Sequence, residues 1–395
     1  MDNGRIDSLD SIRGIASLIV VIFHCLLSFM VFYKANYFNE FSNDTIALFT
    51  LSPLHTIWAG KEAVLLFFVL SGFVLSIPFY KGEVPKYRVY IVRRFFRIYI
   101  PYIVIMAISV FLVTFFLDYK NVHGLSSTYN NRWDHAVSFK AMISYILMLD
   151  YDTANVNGVV WTLYHEMRIS IIFPLFLAII SRFKLVNSII LSLALNVCLF
   201  IFLDLLDFTQ KGNFLSFLLP SLKSSLYYCT FFIFGAIISK YRLDISKLNF
   251  LNPYLKLILF VLSLALINCR WVTTTTGIDN VKVTDFISVL GILLLFSMVL
   301  SSSKAESILT KRSLLWLGKI SYSLYLIHIP VLMIVTIFLS KFIPIEATFI
   351  LVPIICLPIA HFTHKHLEMK ANNIGKVIVK LIKDDSTLFS KRKSA

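Results

Sequence analysis

"RIDSLDSIRGIASLIVVIFHCLLSF", Arg5 to Phe29, opens with charged and hydroxyl residues and turns continuously apolar after Arg13. The apolar run, Ile12 to Phe32, is too long for the core of a signal peptide, and no small-residue cleavage site follows it. It is expected to be the first retained membrane helix. Arg13 and His24 stand eleven residues apart within it. At about 100° per residue that spacing is three turns plus about 20°, so both share one helix face, roughly 16 Å apart along the axis. The arginine then sits at one mouth of the membrane and the histidine near its middle. An ionisable group in hydrocarbon is costly and marks a functional candidate. A packing histidine bonded to a neighbouring helix, above an arginine that snorkels to the interface, accounts for the same pair.

The chain has 395 residues, 58% hydrophobic and 15% charged, with mean hydropathy +0.79. A soluble domain of this length does not carry so few charges, so the expected class is an all-α polytopic membrane protein. The net charge of +15 does not call for nucleic acid. Lysine and arginine gathered on the cytoplasmic side give the same sign. Cys25, Cys198, Cys229, Cys269 and Cys356 lie in or beside apolar runs without CxxC spacing. Neither a disulfide framework nor a metal site is expected from them.

Runs of spanning length, about 17–25 residues, fall at 12–32, 62–80, 101–117, 158–181, 185–203, 221–239, 254–270, 284–301, 318–340 and 346–364, giving ten spans. With the amino terminus inside, the 81–97 loop carries Lys81, Lys86, Arg88, Arg93, Arg94 and Arg97 against Glu83 alone. Later inside loops hold Arg182 and Lys184, then Lys240, Arg242 and Lys247, then Lys304, Lys311 and Arg312. The loops 33–61, 118–157, 204–220 and 271–283 are nearly balanced. This is the positive-inside pattern, with both termini cytoplasmic. Counting Phe139–Leu149 as a span would invert it, so that short run is expected to be interfacial or re-entrant. The expected organisation is a ten-helix membrane domain over 1–370, a long extracytoplasmic loop at 118–157, and a basic cytoplasmic tail at 371–395 that reads as solvated from Lys383 onward.

Four further stretches carry polar groups in apolar context. In "YRVYIVRRFFRIYIPY" (87–102), Pro101 suits a helix start, so 87–99 is expected to be a juxtamembrane amphipathic segment. Its Arg93 and Arg97 share a face beside Arg94, and planar guanidinium groups suit phosphate. Taken alone, the cluster is better explained by positive-inside topology and anionic lipid contact. "NGVVWTLYHEMRISIIFPL" (157–175) places Glu166 roughly 12 Å deep, where a carboxylate needs a partner such as Arg168 or Arg132. A structural ion pair and a catalytic role both satisfy it. In "LGKISYSLYLIHIPV" (317–331), Ser321, Tyr325 and His328 follow i, i+4, i+7 and form a polar stripe facing protein or water. "LLFFVLSGFVLSIPF" (65–79) offers Ser71 and Gly72, read as helix-packing residues. No P-loop, G-x-S-x-G elbow, HExxH or dinucleotide fingerprint is present.

Five stretches together resemble the acyltransferase-3 family of integral membrane acyltransferases. They are "RIDSLDSIRGIA" followed by His24, "LLFFVLSGFVLS", "RRFFRIYIPY", "VVWTLYHEMRISIIFPL" and "ISYSLYLIHIPV", in the family's order from about residue 5 to 370. Ile169 and Ser170 stand where the family's E-x-x-F-Y pattern often has aromatics. The resemblance implies a ten-helix domain moving an acyl group, commonly acetyl from cytoplasmic acetyl-CoA, to a hydroxyl of a surface or secreted glycan. By position it implies His24 and Glu166 as catalytic residues, with Arg13, Arg93, Arg94, Arg97, Tyr325 and His328 binding substrate. Acetyl-CoA is then a substrate, with no permanently bound cofactor. The expected partners are the bilayer, a carbohydrate or glycolipid acceptor and a separate extracytoplasmic protein, with no nucleic acid, in a bacterial plasma (inner) membrane.

The scheme that follows docks CoA phosphates at the arginines and runs the pantetheine arm up the Arg13–His24 face. His24 serves either as general base or as acyl carrier. Glu166, with Tyr325 or His328, orients the acceptor or His24. Trp133 and Tyr129 of the long loop are candidates for sugar contact. A proton-coupled transporter is the rival from another class, although no inverted repeat is evident. A non-catalytic glycan-binding protein or flippase of the same fold is the third reading.

Overall fold

Ten apolar helices form the body of this computed structural model, which describes residues 6–117, 122, 124–207, 215–247, 252–270 and 281–393. They are α1 (Asp7–Leu27), α2 (Gly60–Tyr80), α3 (Ile100–Phe116), α4 (Trp161–Ile180), α5 (Leu185–Asp207), α6 (Leu215–Lys240), α7 (Pro253–Ile267), α8 (Val281–Leu300), α9 (Arg312–Leu339) and α10 (Ile345–Thr363). Among the described residues nine helices are long and apolar enough to cross a membrane. The expected span at 254–270 is the exception. Its helix α7 has 15 residues, roughly 22 Å at 1.5 Å per residue against a hydrocarbon core of about 30 Å. The outer wall of the bundle is apolar, with Phe111, Phe115, Leu175, Val186, Ile190 and Ile350 all exposed. That inverted surface is what a lipid solvent permits.

Glycines set the helix pairs, because lipid offers no hydrophobic drive between helices and only close backbone approach brings van der Waals gain. A Cβ on Gly14 of α1 would lie 2.5 Å from the backbone nitrogen of Gly318 on α9. Gly72 of α2 and Gly235 of α6 press in the same way against each other's helix backbone. Gly291 of α8 meets the backbone of Ile267 on α7, 2.7 Å from a would-be Cβ. The expectation that the Ser71–Gly72 pair serves packing therefore holds for Gly72. Ser71 points elsewhere, as described below.

Pro101 does not begin a separate helix. The chain is helical from Tyr87 through Arg94, takes a π turn at Phe95–Tyr99 and continues as α3. The Ile100 N–H reaches back five residues to the Phe95 carbonyl. This wider turn absorbs the hydrogen bond that proline cannot donate. A second π turn, His364–Glu368, follows α10, and the helix then runs on through Met369–Lys393. The first part of the 371–395 segment packs on the bundle. Ala371 and Val379 are buried, and Gly375 lies against Phe96 of the first π turn. Its apolar side, alternating with lysines, gives that segment a face to dock.

The loop expected at 118–157 folds over the far end of α1. Leu125 pairs with Phe29 in a β-bridge, and the Ser126 hydroxyl donates to the Leu27 carbonyl at 2.7 Å. Phe139–Leu147 is a nine-residue helix with Phe139, Ile143, Ile146 and Leu147 exposed, too short to span. Tyr129 and Trp133, read as sugar-contacting, are instead the loop's own core at 1% exposure each. The Trp133 indole N–H donates to the Val156 carbonyl at 3.1 Å. Large rings are what an irregular segment has available to exclude water from its own backbone.

The glycine crossings yield a prediction. Gly318→Val forces α1 and α9 apart against backbone atoms that cannot yield, and should cost at least the ~1–3 kcal/mol typical of overpacking. Gly158→Ala, whose nearest neighbour would be 3.5 Å away, should stay within about 0.5 kcal/mol of wild type. Thermal unfolding of the detergent-solubilised protein compares the two.

Candidate functional site

Two chambers open from opposite faces of the bundle along the α1–α9 contact. The arginine chamber lies at the face where α1 begins and encloses about 870 Å³ counting its open mouth. Its polar lining comes from Arg13, Ser71, Arg94, Arg97, Glu166, Ser321 and Glu368. The Arg13 Nε donates to the Ser321 hydroxyl at 2.9 Å, and its Nη2 donates to the Gly318 carbonyl at 3.2 Å and pairs with Asp10 at 3.2 Å. The helix crossing at glycine is what brings that carbonyl within reach. Arg94 is buried with its Nη1 3.8 Å from Glu166 Oε1, and the Ser71 hydroxyl donates to the same oxygen at 3.2 Å. Glu368, in the second π turn, accepts from Ser323 at 2.9 Å and pairs with His364 at 2.8 Å.

The histidine chamber lies beneath the long loop and encloses about 1460 Å³ counting its mouth. His24 lines it with Asn36, Lys61, Asn131, Arg132, Trp161 and Asp285. Lys61 Nζ stands 2.5 Å from Asp285 Oδ1, and the Tyr227 hydroxyl donates to Asp285 Oδ2 at 2.9 Å. Val64 and Tyr325 line both chambers, so they form the partition between them. The Tyr325 hydroxyl is tied to the Val159 carbonyl at 3.0 Å and to the Thr162 hydroxyl at 2.8 Å, with the Phe67 ring edge-on at 5.6 Å.

His24 and His328 face each other across the helix contact with ring centroids 5.1 Å apart. Their proton positions follow from their carbonyl partners, because a carbonyl only accepts. His328 Nδ1 lies 2.7 Å from the Tyr325 carbonyl and therefore carries a proton. In the neutral ring its Nε2 is then an acceptor, and it lies 3.3 Å from His24 Nδ1. That nitrogen is also 2.9 Å from the Val20 carbonyl, so it too carries its proton and shares it between two acceptors. The lone pair of neutral His24 is left on Nε2, which no other group engages among the described residues. This is the arrangement of a general base whose second nitrogen is held by an orienting partner.

The expected residues therefore separate into two groups. Arg13, Arg94, Arg97 and Glu166 meet in the arginine chamber, while His24 and His328 meet at the other. Tyr325 stands between. Arg93 is exposed and outside both, since the π turn changes the helical phase after Arg94. Glu166 pairs with Arg94 rather than with Arg168 or Arg132. Arg168 is held by Ser221 at 2.7 Å, by Ser225 and by the Met148 carbonyl. Sequence reasoning passed over Lys61, Asp285 and Glu368. Asp285 carried a usable signal, a carboxylate in the first turn of an apolar run. Lys61 and Glu368 sit at the ends of runs, where charge is ordinary.

The family model described as an acyltransferase domain matches residues 6–363. The chain belongs to that family. No curated protein and no solved structure matches it.

The tautomer assignment makes His24 Nε2 the reactive ring nitrogen of the pair. Diethyl pyrocarbonate should modify His24 well before His328, which is 0% exposed. Peptide mass spectrometry over a reaction time course checks this, and equal rates at the two rings would contradict the assignment.

Proposed function

We propose that this membrane acyltransferase moves an acetyl group from cytoplasmic acetyl-CoA to a hydroxyl of a surface or secreted glycan, with His24 as general base. The observation that carries the proposal is the partition at Tyr325. It stands between an arginine-lined chamber open to one face and a chamber lined by His24 and open to the other. The face where α1 begins is taken as cytoplasmic because the basic loops, 81–97 foremost, lie there.

Arg13, Arg94 and Arg97 receive the CoA phosphates, for which forked guanidinium donors are suited. Glu166 holds Arg94 in place and, with Glu368, offsets the positive charge of the empty chamber. The pantetheine arm passes Val64 and Tyr325 to bring the thioester to His24. The acceptor enters from the far face. His24 Nε2 takes the proton of the acceptor hydroxyl as its oxygen attacks the thioester carbonyl. The carbon–sulfur bond breaks, and the proton passes from His24 to the CoA thiolate. His328, fixed by the Tyr325 carbonyl, keeps the His24 Nδ1 proton in place through the cycle.

Two expectations test this. His24→Ala should lower thiol release from acetyl-CoA in the presence of acceptor by about 10²–10⁴-fold, the scale of a lost general base, while leaving CoA affinity near wild type. Arg94→Gln should raise the KM for acetyl-CoA about tenfold or more, as loss of a charge-assisted hydrogen bond implies, with a smaller effect on kcat. Initial rates across donor concentration measure both. Unchanged thiol release in a folded His24→Ala protein would remove His24 from the mechanism.

A further inference from the structure

A buried guanidinium stands in the histidine chamber without a counter-ion among the described residues. Arg132 is 6% exposed, and its Nη1 has no hydrogen-bond partner. The titratable groups that face it are the Tyr129 and Tyr37 hydroxyls and the Cys25 thiol, none of them a carboxylate. Burial pushes its pKa down to about 10, so it is still protonated at neutral pH. Its backbone is held in place. The Arg132 backbone N–H donates to the Tyr129 carbonyl at 3.1 Å and the Trp133 backbone N–H to the Asn155 carbonyl at 2.9 Å, with the Tyr129 and Trp133 rings buried. The chamber's other charges, Lys61 and Asp285, are spent on each other at 2.5 Å. Elsewhere in the bundle the buried or half-buried arginines have partners. Arg13 has Asp10, Arg94 has Glu166, and Arg168 has two serines and a carbonyl.

A buried charge is tolerated when an anion joins it in the working state. The oxyanion of acyl transfer exists only fleetingly at the reaction's peak and cannot answer a charge that is permanent. A bound substrate can. We propose that the histidine chamber is built for an anionic acceptor, whose carboxylate or phosphate pairs with Arg132 while a nearby hydroxyl is presented to His24. Asn36, Asn131 and Thr128 supply neutral donors and acceptors around it, and Trp161 a flat apolar face, which together suit a sugar ring. This rests on the acyl-transfer reading above and narrows its acceptor class.

The test uses the purified full-length protein in lipid nanodiscs. Methyl β-D-glucuronide, glucose 1-phosphate and the neutral methyl β-D-glucoside are titrated separately, with tryptophan fluorescence reporting binding next to Trp161. Thiol release from acetyl-CoA is then followed with each. At least one anionic probe should bind roughly tenfold or more tighter than the neutral one, the scale of a charge-assisted hydrogen bond. Which anion is preferred tells a sugar acid from a phosphate. Arg132→Gln should erase the preference and Arg132→Lys should keep part of it. The ligand-free Tm of Arg132→Gln should not fall, since the change removes an uncompensated charge. A fall in Tm would mark Arg132 as structural and overturn the proposal. Equal binding of neutral and anionic probes, or a preference that survives Arg132→Gln, would overturn it too. Arg132-dependent anion binding without any thiol release keeps this site and removes the acyl-transfer reading. Thiol release that is as fast with the neutral probe as with the anions does the reverse.

Discussion

The contact between α1 and α9 governs the rest of the molecule. Gly14 and Gly318 remove the side chains that would hold these helices apart, and three consequences follow along one line of contact. The Gly318 carbonyl comes within reach of Arg13, the Ser321 hydroxyl meets its Nε, and farther along the same faces His24 meets His328. A helix pair packed on bulkier residues would leave the arginine to snorkel and the histidine to find some other acceptor. Close approach in lipid is thus the source of both the held arginine of one chamber and the oriented histidine of the other.

Electrostatics divides the two chambers. Arg13, Arg94 and Arg97 gathered alone would repel one another in a poorly solvated pocket, and Asp10, Glu166 and Glu368 reduce that cost while the pocket is empty. The histidine chamber is arranged differently, with a closed Lys61–Asp285 pair and an arginine that has no counter-ion among the described residues. Both π turns border the arginine chamber, one bearing Arg97 and the other Glu368, so each extra residue in a turn sets the phase of a charged side chain.

Much of this was legible in the sequence, and the limits have physical causes. Helical geometry alone put Arg13 and His24 on one face, and i, i+4, i+7 spacing put Ser321, Tyr325 and His328 on another. The structure adds that the two faces meet. Periodicity could not supply Arg94's partner, because Glu166 lies on a different helix and pairing across helices depends on how they cross. A proline at 101 reads as a break, yet a π turn accommodates it, and that shift moved Arg93 out of the site. The loop aromatics misled for a related reason. Trp133 and Tyr129 look like binding groups until the irregular backbone they shield is seen, while Arg132 between them holds the open charge. Asp285 was within reach of the same argument that singled out His24.

The proposed reaction carries an acyl group across the bundle at His24, from a donor on one face to an acceptor on the other. Right-side-out membrane vesicles from the host, carrying its own glycans and loaded internally with [1-14C]acetyl-CoA, test it most directly. Label should appear in glycan accessible from outside with the wild-type protein and not with a folded His24→Ala protein. Label that appears equally with His24→Ala, or only when acetyl-CoA is supplied from outside, would contradict it.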